Sequence, residues 1–149
     1  MKQITRWWLI VVSTLCTLSL SAQDKDTTLV AVKGNVWNGH YYNEQYRINL
    51  HLDLDSASLV APGFESFGTV NGYINGGIYG TWFLVRHEKT NSGLRLRWTN
   101  DLGSYVQIID FQLNADGQFS YDAVGSNEMR RSEGRKLIKI APHLIFVRK

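Results

Sequence analysis

Residues 72–89 read GYINGGIYGTWFLVRHEK, and this stretch decides the fold. Asn71-Gly72 and Asn75-Gly76 are both suited to type I′ turns, which need positive φ at two central positions. Behind them, residues 78–89 predict a long strand that puts Trp82 and Phe83 on opposite faces, because successive strand side chains alternate. Gly80 within it marks a bulge or a close approach by another backbone or ring. One of the two aromatics must then point away from the core, where packing against a neighbouring loop is its expected use.

Upstream, Tyr46, Ile48, Leu50, Leu52 and Leu54 alternate with Arg47, Asn49, His51, Asp53 and Asp55. A period of two over this length predicts a half-buried strand with its apolar face inward. Residues 29–33 are β-rich, Asn38-Gly39 is a turn pair, and residues 56–61 hold a short strand before Pro62-Gly63. Downstream, residues 94–99, 105–113, 119–123, 136–140 and 144–147 predict strands, with glycine-bearing turns between the first three. Residues 125–135 carry no pattern and are expected to be a loop. No window after the apolar N-terminal run shows a helical period. Strands recurring every ~8–12 residues define an all-β chain: a single antiparallel barrel or strongly curled sheet of about 8–10 strands, with a β-sandwich as the alternative.

The N-terminus has a leader's composition. Lys2 and Arg6 precede an apolar run of about 14 residues, too short to span a bilayer, and Leu20-Ser21-Ala22 offers a small residue for cleavage. Residues 1–22 are therefore expected to be a signal peptide and residues 23–149 a single all-β domain, periplasmic or extracellular, with no transmembrane segment in the mature chain. Cys16, the only cysteine, falls in the leader, so the exported domain has no disulfide to staple it. Lys2 and Arg6 leave with the leader, and 14 basic residues then face 13 acidic ones. That near balance argues against nucleic acid as a partner.

Chemistry-bearing patterns are sparse. His51 and Asp53 share a strand face with Arg47, Asn49 and Asp55, which admits a metal or acid–base site but is also what a solvated face carries. His40, His51, His87 and His143 show no metal spacing. There is no mature cysteine, no nucleophile elbow and no phosphate loop. No catalytic residue, metal or cofactor is expected. Arg130, Arg131, Arg135, Lys136 and Lys139 make the C-terminal third locally basic, a candidate surface for an acidic partner. Tyr41, Tyr42, Tyr79, Trp82 and Trp98 are the candidate ligand-binding aromatics.

Gly80-Thr81-Trp82 in a hairpin-rich chain resembles the G-x-W of the calycins, the lipocalin and avidin group of small ligand-binding barrels. In that group the motif sits on the first strand, and its tryptophan closes one barrel end beside a basic residue from the last strand. The resemblance implies Arg148 as the basic partner and a ligand held in the barrel interior. Gly34-Asn35-Val36-Trp37 stands nearer the start of the domain but has one residue more than the motif.

Three functions follow as expectations. The first is an exported non-enzymatic module binding a small apolar molecule or a glycan through the aromatics. The second is a periplasmic or extracellular protein-interaction module, an accessory subunit or inhibitor, using the basic patch. The third is a metal-dependent or acid–base hydrolase on the His51-Asp53 face.

Overall fold

A computed structural model describes residues 35–149; the expected leader at 1–22 and the strand at 29–33 lie outside them. The described chain is built of strands β1 (Gly39–Asn43), β2 (Ile48–Leu52), β3 (Gly72–Gly76), β4 (Trp82–Lys89), β5 (Gly93–Asn100), β6 (Val106–Leu113), β7 (Phe119–Ala123), β8 (Arg130–Glu133), β9 (Lys136–Lys139) and β10 (His143–Arg148). Eight of them close into an antiparallel barrel in the order β1-β10-β7-β6-β5-β4-β3-β2, while β8 and β9 form a separate hairpin. Of the architectures expected from the sequence, the barrel is the one formed.

The period-two pattern explains the core. Tyr41, Leu50, Leu96, Trp98, Ile109, Phe111 and Phe146 point inward and are completely buried. Phe111 is the hub, with ring centroids 5.3 Å from both Tyr41 and Phe119, 6.2 Å from Trp37 and 6.3 Å from Phe146. Each such side chain contributes roughly 1.5–3 kcal/mol by leaving water, which is how a barrel holds together without disulfides.

Phe83 points outward, as alternation requires, and a loop covers it. It packs with Ala61 and Tyr73 in a small second cluster, and its ring lies 5.3 Å from Phe64 and 5.5 Å from Phe67. Phe67 ends a short 3₁₀ turn, Glu65–Phe67. Trp82 is the inward member of the pair and is only 3 % exposed.

Several local expectations are corrected. The strand carrying Trp82 starts at Trp82, and Ile78, Tyr79, Gly80 and Thr81 form the β3–β4 connection. Gly76 and Gly80 have φ of 104° and 76°, which ends the ladder, and the bulge falls at Leu84/Arg86. Asn75-Gly76 closes β3 as part of the strand, and Gly72 opens it. Gly77 is required by contact: a Cβ there would lie 1.7 Å from the Tyr46 carbonyl oxygen. The long alternating run shortens to β2, because residues 44–47 turn and Arg47 takes a φ of 55°.

The other corrections come from side chains that compete with the ladder. Asp53 accepts hydrogen bonds from Ser56 Oγ at 2.6 Å, from the Ser58 hydroxyl and from the Ser58 amide at 3.1 Å, which folds the chain away. Residues 56–61 thus retain a single bridge, Leu59 to Val70. Asn38-Gly39 is not a turn pair: the turn lies at 36–37, and Asn38 Oδ1 accepts the Leu54 amide at 2.8 Å. Within the expected loop at 125–135, Arg130–Glu133 is β8.

Candidate functional site

The barrel has two unlike ends. At the first, Trp37 lies edge-on to Phe119, 6.0 Å between centroids, just before β1. Arg148, at the end of β10, donates to the carbonyls of Val36 (3.4 Å) and Asn38, and its guanidinium lies 6.0 Å from the Tyr41 ring. Arg148 thus holds the backbone on both sides of Trp37, far from Trp82 at the other end of the barrel, and the ring its guanidinium lies over is Tyr41. Burial, opposed by the Arg148 charge, pushes the Tyr41 hydroxyl up to about 12.

The second end is closed from within by the chain entering and leaving the β8–β9 hairpin. Met129 and Ile140 are 1 % and 3 % exposed and join the barrel core. Asn127 donates to the Ala141 carbonyl at 2.9 Å and accepts the Met129 amide at 3.0 Å. Gln107, inside the barrel, accepts the Glu128 amide at 2.6 Å. Tyr121 places its hydroxyl 3.4 Å from Asn127 Oδ1, and burial drives that hydroxyl far above its ordinary range. One contiguous cluster of buried side chains thus occupies the interior, with Met129 and Ile140 closing it at this end.

Outside this plug the hairpin folds over the β3–β4 and β5–β6 connections. The Tyr79 amide donates to the Arg130 carbonyl at 2.7 Å and ties them together. A cavity of about 110 Å³ lies between them, lined by Tyr79, Trp82, Leu102, Tyr105, Arg130 and Leu137 among others. Tyr79, Leu102, Tyr105 and Leu137 are 58 %, 77 %, 43 % and 43 % exposed, a concentration of apolar side chains that no core demands. The Arg130 guanidinium lies 5.3 Å from the Tyr105 ring centroid. Asp101 and Glu128 complete the wall with negative charge.

The five candidate aromatics are not brought together. Tyr79 and Trp82 share the cavity at the hairpin end. Tyr41 and Trp98 are buried in the core with no exposed surface. Tyr42 lies on the outside of β1, its ring 4.9 Å from Lys149 Nζ. The basic residues do converge, all on the β8–β9 hairpin or its turn, and three have acidic neighbours. Lys139 meets Glu128 at 2.7 Å, Arg130 meets Glu128 at 3.7 Å, and Arg131 meets Glu133 at 2.9 Å. The Lys139 hydrogen bond is the main reason the Glu128 carboxyl is held below its ordinary range. Among the described residues, Arg135 and Lys136 have no acidic partner within 4.0 Å.

The His51-Asp53 face dissolves once Asp53 turns away to the serines. His51 instead lies in an outer-face stack, 4.2 Å from the His40 ring and 4.5 Å from the Tyr73 ring. No group of three or more metal-ligating side chains occurs among the described residues. An arginine groove on the outer face of β4 and β5 was not legible as a unit. It places Arg86, Arg95 and Arg97 around a cavity of about 180 Å³, with Glu88 and Asp110 paired to Arg86 and Arg95. Its only sequence signal was the alternation Arg95, Arg97 in β5.

Fold and site together define a closed eight-stranded antiparallel barrel with a plugged interior and an aromatic, basic end. Comparison with protein families, with characterised proteins and with solved structures found no match to this chain.

Proposed function

We propose that this chain is an exported, non-enzymatic binding module that holds a protein partner on the hairpin end of its barrel. One observation carries this reading: Tyr79, Leu102, Tyr105 and Leu137 are exposed around one cavity, next to Arg130, on an end already sealed by Met129 and Ile140. Aromatic side chains and arginine are the residues that dominate protein interfaces when they gather around a pocket. The buried side-chain cluster inside the barrel, closed by Met129 and Ile140, argues against a ligand carried inside.

Kinship with the calycins fits this reading in architecture. The closed barrel supports it, and so does the last-strand arginine, Arg148, which holds the carbonyls on either side of Trp37 just before the first strand. Binding inside the barrel is the part of that resemblance the packing does not favour. A second reading, a single sugar or aromatic ring seated in the cavity, is favoured by Tyr79 and Trp82 lining it together.

The test is capture of partners from the exported fraction of the source cell by the wild-type chain, by Tyr79→Ala/Tyr105→Ala and by Tyr42→Ala. The expected result is a partner held by wild type and Tyr42→Ala and lost by the double variant. Capture that the double variant leaves unchanged overturns the reading. A small mass released on denaturation in native mass spectrometry, absent from the double variant, transfers the end to the ring-binding reading.

A further inference from the structure

We infer that the outer edge of β9 receives an extended acidic segment of the partner as a third strand of the β8–β9 sheet. This rests on the hairpin end being the binding end.

The argument starts from register. The Ile140 amide donates to the Met129 carbonyl at 3.0 Å, so that residue pair is hydrogen-bonded. Hydrogen-bonded and non-hydrogen-bonded pairs alternate along an antiparallel ladder. From the register Arg130–Lys139, Arg131–Ile138, Ser132–Leu137 and Glu133–Lys136, Ile138 and Lys136 turn their main-chain groups toward β8. Leu137 and Lys139 turn theirs away. The same rule turns Arg130 outward on β8, and its carbonyl is indeed taken by the Tyr79 amide at 2.7 Å. On the β9 side, no backbone group among the described residues pairs with Leu137 or Lys139.

The space beside that edge is open. Lys136, Leu137 and Lys139 on the edge are exposed, and no other strand flanks it among the described residues. An unpaired edge with room beside it accepts a strand from another chain, main-chain bonds giving affinity and side chains giving choice. Charge selects the occupant. Lys136 and the turn residue Arg135 border the edge with no acidic partner among the described residues, whereas Lys139 is already held by Glu128 at 2.7 Å. A second copy pairing β9 with β9 would set these cations against each other, which cross-strand like charges oppose. An acidic strand meets them with opposite charge. Leu137, which also lines the cavity with Tyr79 and Tyr105, links the added strand to the aromatic patch.

The probe is a synthetic peptide of about ten residues alternating glutamate with valine, long enough for one strand. The readout is amide hydrogen exchange in the full chain. Exchange at Leu137 and Lys139 is expected to slow by roughly tenfold or more with peptide. Methylating alternate peptide nitrogens on the pairing edge, or replacing glutamate by lysine, is expected to abolish the effect. Binding with no slowing at these two amides overturns strand addition while leaving the hairpin end as the binding end. Absence of binding at millimolar peptide overturns it as well. So does slow exchange at both amides before peptide is added, because the edge is then occupied by this chain or a second copy. The Tyr79→Ala/Tyr105→Ala capture test fails or succeeds separately from all of these.

Discussion

His40 and His51 lie face to face across the β1–β2 ladder, with 4.2 Å between ring centroids and 4° between planes. Tyr73 continues the stack from β3, and Asn49 Oδ1 lies 3.0 Å from His40 Nε2. Two imidazoles held this closely resist being charged together. Burial first, then the His40 charge, pushes the His51 pKa down to about 4.

That shift has a sign. An unfolded histidine takes up its proton near pH 6.5, whereas folded His51 does so only near pH 4. Between those values the unfolded state binds more protons, so the folded state loses stability as pH falls, and the loss levels off below about 4. Solvent screening limits it to about 1–2 kcal/mol. His51→Phe keeps a stacking ring and removes the titration. Its unfolding midpoint in denaturant is expected to fall less than wild type's between pH 7 and pH 4.5.

Phe111→Ala removes the side chain that meets Tyr41, Phe119, Phe146 and Trp37 at the centre of the barrel. A cavity among fully buried rings costs about 3–5 kcal/mol, a large share of the stability of a domain this size. Chemical denaturation monitored by tryptophan fluorescence will read it. Leu113→Ala, on an exposed position of the same strand, is expected to shift the midpoint little.

Two glycines separate contact from conformation. Gly77→Ala places a Cβ 1.7 Å from the Tyr46 carbonyl oxygen, so the 44–47 turn must move. Gly117→Ala meets nothing within 4 Å but retains a φ of 81°. The second change is expected to cost about 1–2 kcal/mol, the ordinary left-handed penalty. The first is expected to cost clearly more or to prevent soluble expression. Thermal unfolding of the pair gives the comparison.

Arg148→Met removes the cation that holds the Val36 and Asn38 carbonyls and lies over Tyr41. Stability is expected to fall by about 1 kcal/mol, because the guanidinium is exposed. The more specific readout is local: faster amide exchange at Asn38, whose N–H closes the 36–37 turn onto Asn35 at 2.9 Å. Unchanged exchange there would mean that Arg148 does not hold the turn.

Much of the barrel was legible. Alternation in Ile48, Leu50 and Leu52, and in Leu94, Leu96 and Trp98, identified core faces because each inward residue is covered by the opposite wall. Boundaries were less legible where side chains divert the backbone, as Asp53 does with Ser56 and Ser58. The hairpin strand Arg130–Glu133 escaped notice because its alternation is hidden among charges and it buries little. Of the candidate site, Tyr79, Trp82 and the basic residues were named from sequence. Their grouping with Leu102, Tyr105 and Leu137 was not.

The sequence by itself determined the class and the inward set, since a period of two needs no knowledge of neighbours. It also determined that Trp82 and Phe83 face opposite ways. Only the tertiary structure decided which of them is inside, because strand parity has no origin until a wall closes over one face. It alone decided that one barrel end is plugged, because the burial of Met129 and Ile140 depends on where the β8–β9 hairpin folds back. And it alone put Arg148 on the carbonyls flanking Trp37, because barrel closure joins the last strand to the first.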